Sequence, residues 1–187
     1  LQALESTRTE VSSLVRIVFD HSPCPILGVT GTKGKGTTSS LIHQMLLTSS
    51  KKSHLGGNIG TPPLEFLDEL DLDSRLILEL SSFQLQDLHR SPQIAVILGV
   101  TSEHLDYHAD IEEYRDAKAS LVRHQTPNDI KILNMSYPSA QHYAQLGKGR
   151  LLEVNTCHPV PRGIGIRDGR IEIVLQKRID LGPTMDI

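Results

Sequence analysis

Residues 26–38, Ile-Leu-Gly-Val-Thr-Gly-Thr-Lys-Gly-Lys-Gly-Thr-Thr, hold the most specific chemistry in the chain. An apolar run gives way to a glycine-punctuated turn carrying Lys33 and Lys35. Two hydroxyls, Thr37 and Thr38, follow at the mouth of a helical pattern. Glycines let backbone N–H groups turn inward on an anion, a helix N-terminus adds partial positive charge, and a lysine reaches terminal phosphates. Gly31, Thr32, Lys33, Gly34, Lys35, Gly36 and Thr37 are therefore candidate contacts to a nucleoside triphosphate. The loop departs from the strict phosphate-loop pattern twice: Val29 stands where the first glycine belongs, and Gly36 follows Lys35 in place of Ser or Thr. A turn of this kind also serves as a plain strand-to-helix connection, so the loop alone leaves both readings open.

Three further residues carry chemistry. Glu79 ends the apolar run Leu76-Ile77-Leu78, where a carboxylate would face phosphates and hold Mg²⁺; a solvated strand-end acid is the plain alternative. His104 follows the apolar run 93–100 at the same kind of position. His104 and His108 stand four apart, but no third ligand lies nearby to complete a zinc site. Lys118 is the unusual one. On a helical wheel over residues 110–125 it falls inside the apolar stripe of Ile111, Tyr114, Leu121 and Val122. Either its stem covers apolar surface while the amine reaches water, or its site lowers the amine pKa. In the second case the neutral amine could take up carbon dioxide and become a carbamate, a metal-binding carboxylate.

These residues need a scaffold that gathers them, and the hydropathy pattern supplies one. Residues 26–30, 76–79, 93–100 and 130–134 read as strands; 9–20, 37–48, 64–70, 83–89 and 110–125 read as helices. Asp110 and Glu113 form a capping-box pair opening the last of these. Gly56 to Pro63 reads as loop, and the stretch between Thr48 and Gly56 looks too short for a return strand. Residues 164–174 read as a hairpin, because Asp168-Gly169 suits a two-residue type I′ turn. Repeated βα units with continuous apolar strands imply an α/β fold, a mostly parallel sheet with helices on both faces and a C-terminal β-hairpin. Ligands of such sheets bind beyond the C-terminal strand ends.

Composition sets the bounds. A chain of 187 residues buries one good core, and 38% hydrophobic with 22% charged residues describes an ordinary globular domain. A net charge of −3 gives no electrostatic basis for nucleic acid or anionic membrane as a partner. Residues 1–10 do not look like a signal peptide, and no apolar run could span a bilayer. Cys24 and Cys157 are the only cysteines, too few for a disulfide framework, which favours a cytoplasmic setting.

Five segments in order, Gly31 to Thr37, Gly57-Asn58-Ile59-Gly60, Glu79 to Leu85, Thr101 to His104 and Tyr114 to Lys118, resemble the Mur ligase family. Glu-Leu-Ser-Ser-Phe-Gln-Leu together with Gly-Asn-Ile-Gly is similar to its D-glutamate-adding branch. The loop alone is equally similar to folylpolyglutamate synthase, whose members lack the Ser-Ser-Phe-Gln segment. The resemblance implies a P-loop NTPase-like central domain over 26–187, with 1–25 as lead-in helix and linker. It implies flanking domains, absent from these residues, that grip a UDP-muramoyl peptide and bring D-glutamate, so this portion alone would not complete ligation. It implies a monomer that uses ATP with one or two Mg²⁺ to make an acyl phosphate and then an amide. Lys35 would hold the β- and γ-phosphates, and Thr37 would supply the hydroxyl that Gly36 lacks. Glu79 would bind one Mg²⁺, and His104 with carbamylated Lys118 a second. Asn58 would hydrogen-bond the substrate or the transferred phosphate. The chain departs from the family at Gly99, where Asn is usual, and at Asn134-Met135-Ser136-Tyr137, where Asn-x-Asp-Asp is usual. A stand-alone nucleotide-binding module and a phosphotransferase are the readings from other classes.

Overall fold

The computed structural model describes residues 12–101, 111–175 and 178–183, the last span by its backbone. β1 (Ile26–Thr30), β3 (Arg75–Glu79) and β4 (Ile94–Ile97) form the centre of a sheet, with β1 hydrogen-bonded between the other two in parallel. Leu76, Ile77, Leu78 and Val29 are wholly buried, as near-continuous apolar strands must be when both sheet faces are covered. Outward from β4 come β5 (Ile130–Asn134), β6 (Arg150–Val154), β7 (Gly163–Arg167), β8 (Arg170–Val174) and β9 (Arg178–Pro183). On the other edge lies β2 (Ser53–Gly57), so the order is β2-β3-β1-β4-β5-β6-β7-β8-β9. Pairing is parallel through β7 and antiparallel for the last two strands.

The helices follow from this order. α2 (Lys35–Thr48) leads from β1 outward to β2. α3 (Ser82–Gln86), α4 (Ile111–Arg123) and α5 (Ala140–Ala144) lead in the opposite direction. Right-handed crossovers therefore put α2 on one face and the other three on the reverse. Gly28 shows the fit on the α4 side: a Cβ there would lie 2.8 Å from a Leu121 methyl. The chain reverses direction around β1, which makes the crevice between the ends of β1 and β4 the expected ligand position. α1 (Leu14–His21) is capped by the Ser13 hydroxyl, which accepts from the Arg16 N–H at 3.2 Å.

Several sequence expectations change. The stretch after Thr48 does hold a return strand, β2, reached in four residues because Ser50 turns the chain at φ 57°. Its Ser-His-Leu-Gly-Gly sequence has no strand pattern; pairing with β3 makes it one. Gly56 and Gly57 thus belong to a strand, not a loop. α2 starts two residues early, α3 is shorter than 83–89, and 63–69 is a 3-10 helix. α5, β6 and β9 carried no readable signal. Residues 9–11 and the proposed cap Asp110 lie outside the described residues. The hairpin stands as expected, with Asp168 and Gly169 at φ 50° and 70°.

Candidate active site

At the end of β1 the chain turns through residues 31–34 into α2. Gly31 (φ 152°) has no room for a side chain, since a Cβ would lie 2.7 Å from that of Leu98. Gly34 (φ 81°) is the left-handed N-cap of α2, offering no capping side chain. The first-turn N–H groups of a helix have no intrahelical partners and face outward along its axis. Lys35 curls back across the turn, its Nζ donating to the carbonyls of Gly31 at 3.2 Å and Thr32 at 3.1 Å. Lys33 and Thr37 are exposed, while Thr32 is buried.

Glu79 ends β3, in register with Val29 of β1 and Gly57 of β2. Its carboxylate is 3% exposed. Oε1 accepts from Asn58 Nδ2 at 3.3 Å, and the Asn58 N–H donates to the Glu79 carbonyl at 2.9 Å. Oε2 is buried with no hydrogen-bond partner among the described residues. It lies against the first turn of α2, only 3.1 Å from where a Cβ on Gly36 would sit. The glycine that breaks the phosphate-loop pattern is thus what lets the carboxylate come so close. A buried carboxylate oxygen without a partner is costly, and a hard divalent cation is the partner its chemistry fits. Gly57 (φ 103°) makes the Asn58 approach possible, because a Cβ there would fall 2.1 Å from the Glu79 carbonyl oxygen.

Lys118 enters from α4, on the opposite face. It is 2% exposed, and its Nζ donates to Thr30 Oγ1 and the Gly31 carbonyl, both at 3.3 Å. The Thr30 hydroxyl in turn donates to the Leu80 carbonyl at 2.8 Å. The ring of Tyr114, one helical turn earlier, lies 4.5 Å from the amine. No carboxylate pairs with Lys118 among the described residues. Burial, and then the charge of Lys35, lower its pKa to about 7. Two amines therefore converge on one carbonyl, that of Gly31, beside a buried acid.

Lys35, Asn58, Glu79 and Lys118 thus meet at one strand-end rim. His104 lies outside the described residues. Thr30, which supports the Lys118 amine, carried no signal in the sequence; Tyr114, which shares the apolar stripe of α4 with Lys118, lies one turn before it and packs on it. A cavity of about 670 Å³, lined by Glu112, Arg115, Asp116 and His142 among others, contains none of the candidate residues that lie among the described ones. No helix among the described residues is long and apolar enough to cross a membrane.

The Mur ligase middle domain family matches residues 29–158. The UDP-N-acetylmuramoylalanine--D-glutamate ligase of Symbiobacterium thermophilum is 39% identical over 152 residues, covering 81% of this chain and 33% of the relative. That of Acetivibrio thermocellus is 36% identical over 186 residues, covering 96% of this chain and 40% of the relative. The chain therefore spans well under half the length of these relatives. The MurF ligase from Thermotoga maritima, solved in complex with ADP, shares the fold at a TM-score of 0.63 and 21% identity, covering 95% of this chain and 48% of that one. With the family's span running from β1 past β6 and taking in the phosphate loop, Glu79 and Lys118, the chain belongs to the Mur ligase family.

Proposed function

We propose that this chain is the ATP-binding central domain of a ligase that adds D-glutamate to UDP-N-acetylmuramoyl-L-alanine, in peptidoglycan precursor synthesis. The observation that carries this is the meeting of Lys35, the partnerless Glu79 Oε2 and Lys118 at one rim beside a helix N-terminus. Similarity to D-glutamate ligases over most of the chain supports this acceptor over a folate. Residues 26–187 form the domain and 1–25 lead into it, with the remaining domains elsewhere in the full protein. The setting is cytoplasmic, the protein a monomer, and its partners are ATP, a UDP-muramoyl peptide and D-glutamate, with no nucleic acid or membrane.

The amides of the 31–37 turn other than that of Thr32, which the Gly99 carbonyl holds, act with the Lys35 ammonium to hold the triphosphate, releasing Lys35 from its two loop carbonyls. The substrate carboxylate attacks the γ-phosphorus; an O–P bond forms and ADP leaves. The amine of D-glutamate then attacks the acyl carbon, phosphate departs, and the amine's proton passes to solvent. Asn58, held on Glu79, orients the substrate or the transferred phosphate. Glu79 and Thr37 would hold one Mg²⁺, and His104 and Lys118 a second, and such ions would supply positive charge against that developing on the phosphates. Lys118 suits that role as a carbamate: its neutral amine adds to the carbon of CO2, an N–C bond forms as a C–O π pair moves to oxygen, a proton goes to water, and a negative group replaces the neutral amine.

The test uses the full-length protein with ATP and UDP-N-acetylmuramoyl-L-alanine, without D-glutamate, and traps the product with hydroxylamine. A hydroxamate formed together with ADP is expected. ADP with a hydroxylamine-stable phosphoester would mean a phosphotransferase, and no substrate-dependent ADP would overturn the reading.

A further inference from the structure

We infer that Thr32 is a positioning residue that relays occupancy of the phosphate loop to α4 and Lys118. This rests on the nucleotide reading above. Thr32 lies in the anion-binding turn, yet its side chain is 5% exposed and faces away from solvent. Its Oγ1 accepts from the Thr101 N–H at 2.9 Å. Its own proton has two acceptors in reach, the Thr101 carbonyl at 3.3 Å and the Tyr114 hydroxyl at 3.4 Å. Its N–H donates to the Gly99 carbonyl at 2.8 Å. One residue thus joins three pieces: the loop, the chain leaving β4, and the helix bearing Lys118.

The far end of the link is equally defined. Tyr114 is 2% exposed, and its ring supports the Lys118 amine at 4.5 Å. Its hydroxyl reaches Thr32 from α4, and its ring is the surface on which Lys118 rests. When the turn tightens on a triphosphate, Thr32 cannot shift alone without leaving buried polar groups unpaired. The cheaper response moves Thr101 and Tyr114 with it. A second link, from Lys118 to the Gly31 carbonyl at 3.3 Å, is weaker because Lys35 competes for the same oxygen. An anchor that merely holds the fold would give the same contacts but would not respond to nucleotide.

Hydrogen exchange of the chain with and without saturating Mg·ATP separates these. Saturation is judged for each variant from the amides of residues 31–37. In the wild type, ATP slows exchange in the loop and, by about tenfold, at amides 114–120, a factor within the usual range of coupling between sites. In Thr32→Val the loop is protected but the α4 response falls to about twofold or less, and Thr32→Ser restores it. If Thr32→Val fails to fold, Tyr114→Phe carries the test by removing the partner hydroxyl from α4, with the same loss expected. A wild-type α4 response in Thr32→Val or Tyr114→Phe overturns the relay, as does a wild type protected in the loop but not in α4. No protection of the wild-type loop itself would instead overturn nucleotide binding.

Discussion

Replacing Lys118 by Met should make the chain more stable, and by an amount that depends on pH. The unfolded chain keeps this proton up to about the ordinary value of 10.5, whereas the folded chain keeps it only to about 7. Between those values the unfolded state binds more protons, so wild-type stability rises with pH across the window and is lowest at and below its acid end. Each decade of proton affinity is worth about 1.4 kcal/mol, so the full deficit is roughly 4–5 kcal/mol. Met removes it while keeping much of the stem's volume, and loses about 1 kcal/mol for the bonds to Thr30 and Gly31. The net expectation is a variant about 3 kcal/mol more stable than wild type at pH 6, with the gap closing by pH 10.5. Urea unfolding in CO2-free buffer at pH 6, 8 and 10 measures the difference, and titrations elsewhere cancel between the two proteins. A gap that stays constant from pH 6 to 10, or a Met variant less stable at pH 6, would refute the account of a buried, disfavoured ammonium.

The same amine should yield a carbamate signal in ¹³C NMR when the chain is equilibrated with ¹³C-bicarbonate above pH 7, and Lys118→Arg should abolish it; an identical signal in both would assign it elsewhere. Gly57→Ala should cost roughly 2–4 kcal/mol, because its Cβ meets the Glu79 carbonyl and its φ is left-handed; a cost under about 1 kcal/mol would mean that β2 and β3 separate freely there. Gly99→Asn, which restores the usual family residue, should destabilise by about 1–3 kcal/mol, since a Cβ there falls 2.4 Å from the Tyr137 ring. Adding Tyr137→Ala should recover most of that loss, and strict additivity in the double variant would count against the contact.

That last pair shows what the sequence could and could not convey. Gly99 and Tyr137 both stood out as departures from the family pattern, but only the fold shows that one makes room for the other. β1 was legible to the residue because a buried parallel strand reads as a near-continuous apolar run, and β5, Ile-Lys-Ile-Leu-Asn, because two isoleucines and a leucine stand between polar segments. β2 was not, because Ser53, His54 and two glycines become a strand only through β3. The position of Lys118 on an apolar stripe was visible from helical periodicity alone. Its pairing with Lys35 on the Gly31 carbonyl was not, since residues 87 apart meet only when α4 crosses β1. Glu79 was legible as a strand-end acid, but its partnerless oxygen follows from burial against Gly36, which no spacing encodes.

Titration calorimetry of Mg·ATP into the chain tests most directly whether these groups form a magnesium–triphosphate site. One-site binding is expected, weakened at least about tenfold in Lys35→Ala by the loss of roughly one charged contact. Removing Mg²⁺ should weaken wild-type binding but have little further effect in Glu79→Gln. Equal affinity for wild type and Lys35→Ala, or a Mg²⁺ dependence that survives Glu79→Gln unchanged, would contradict such a site.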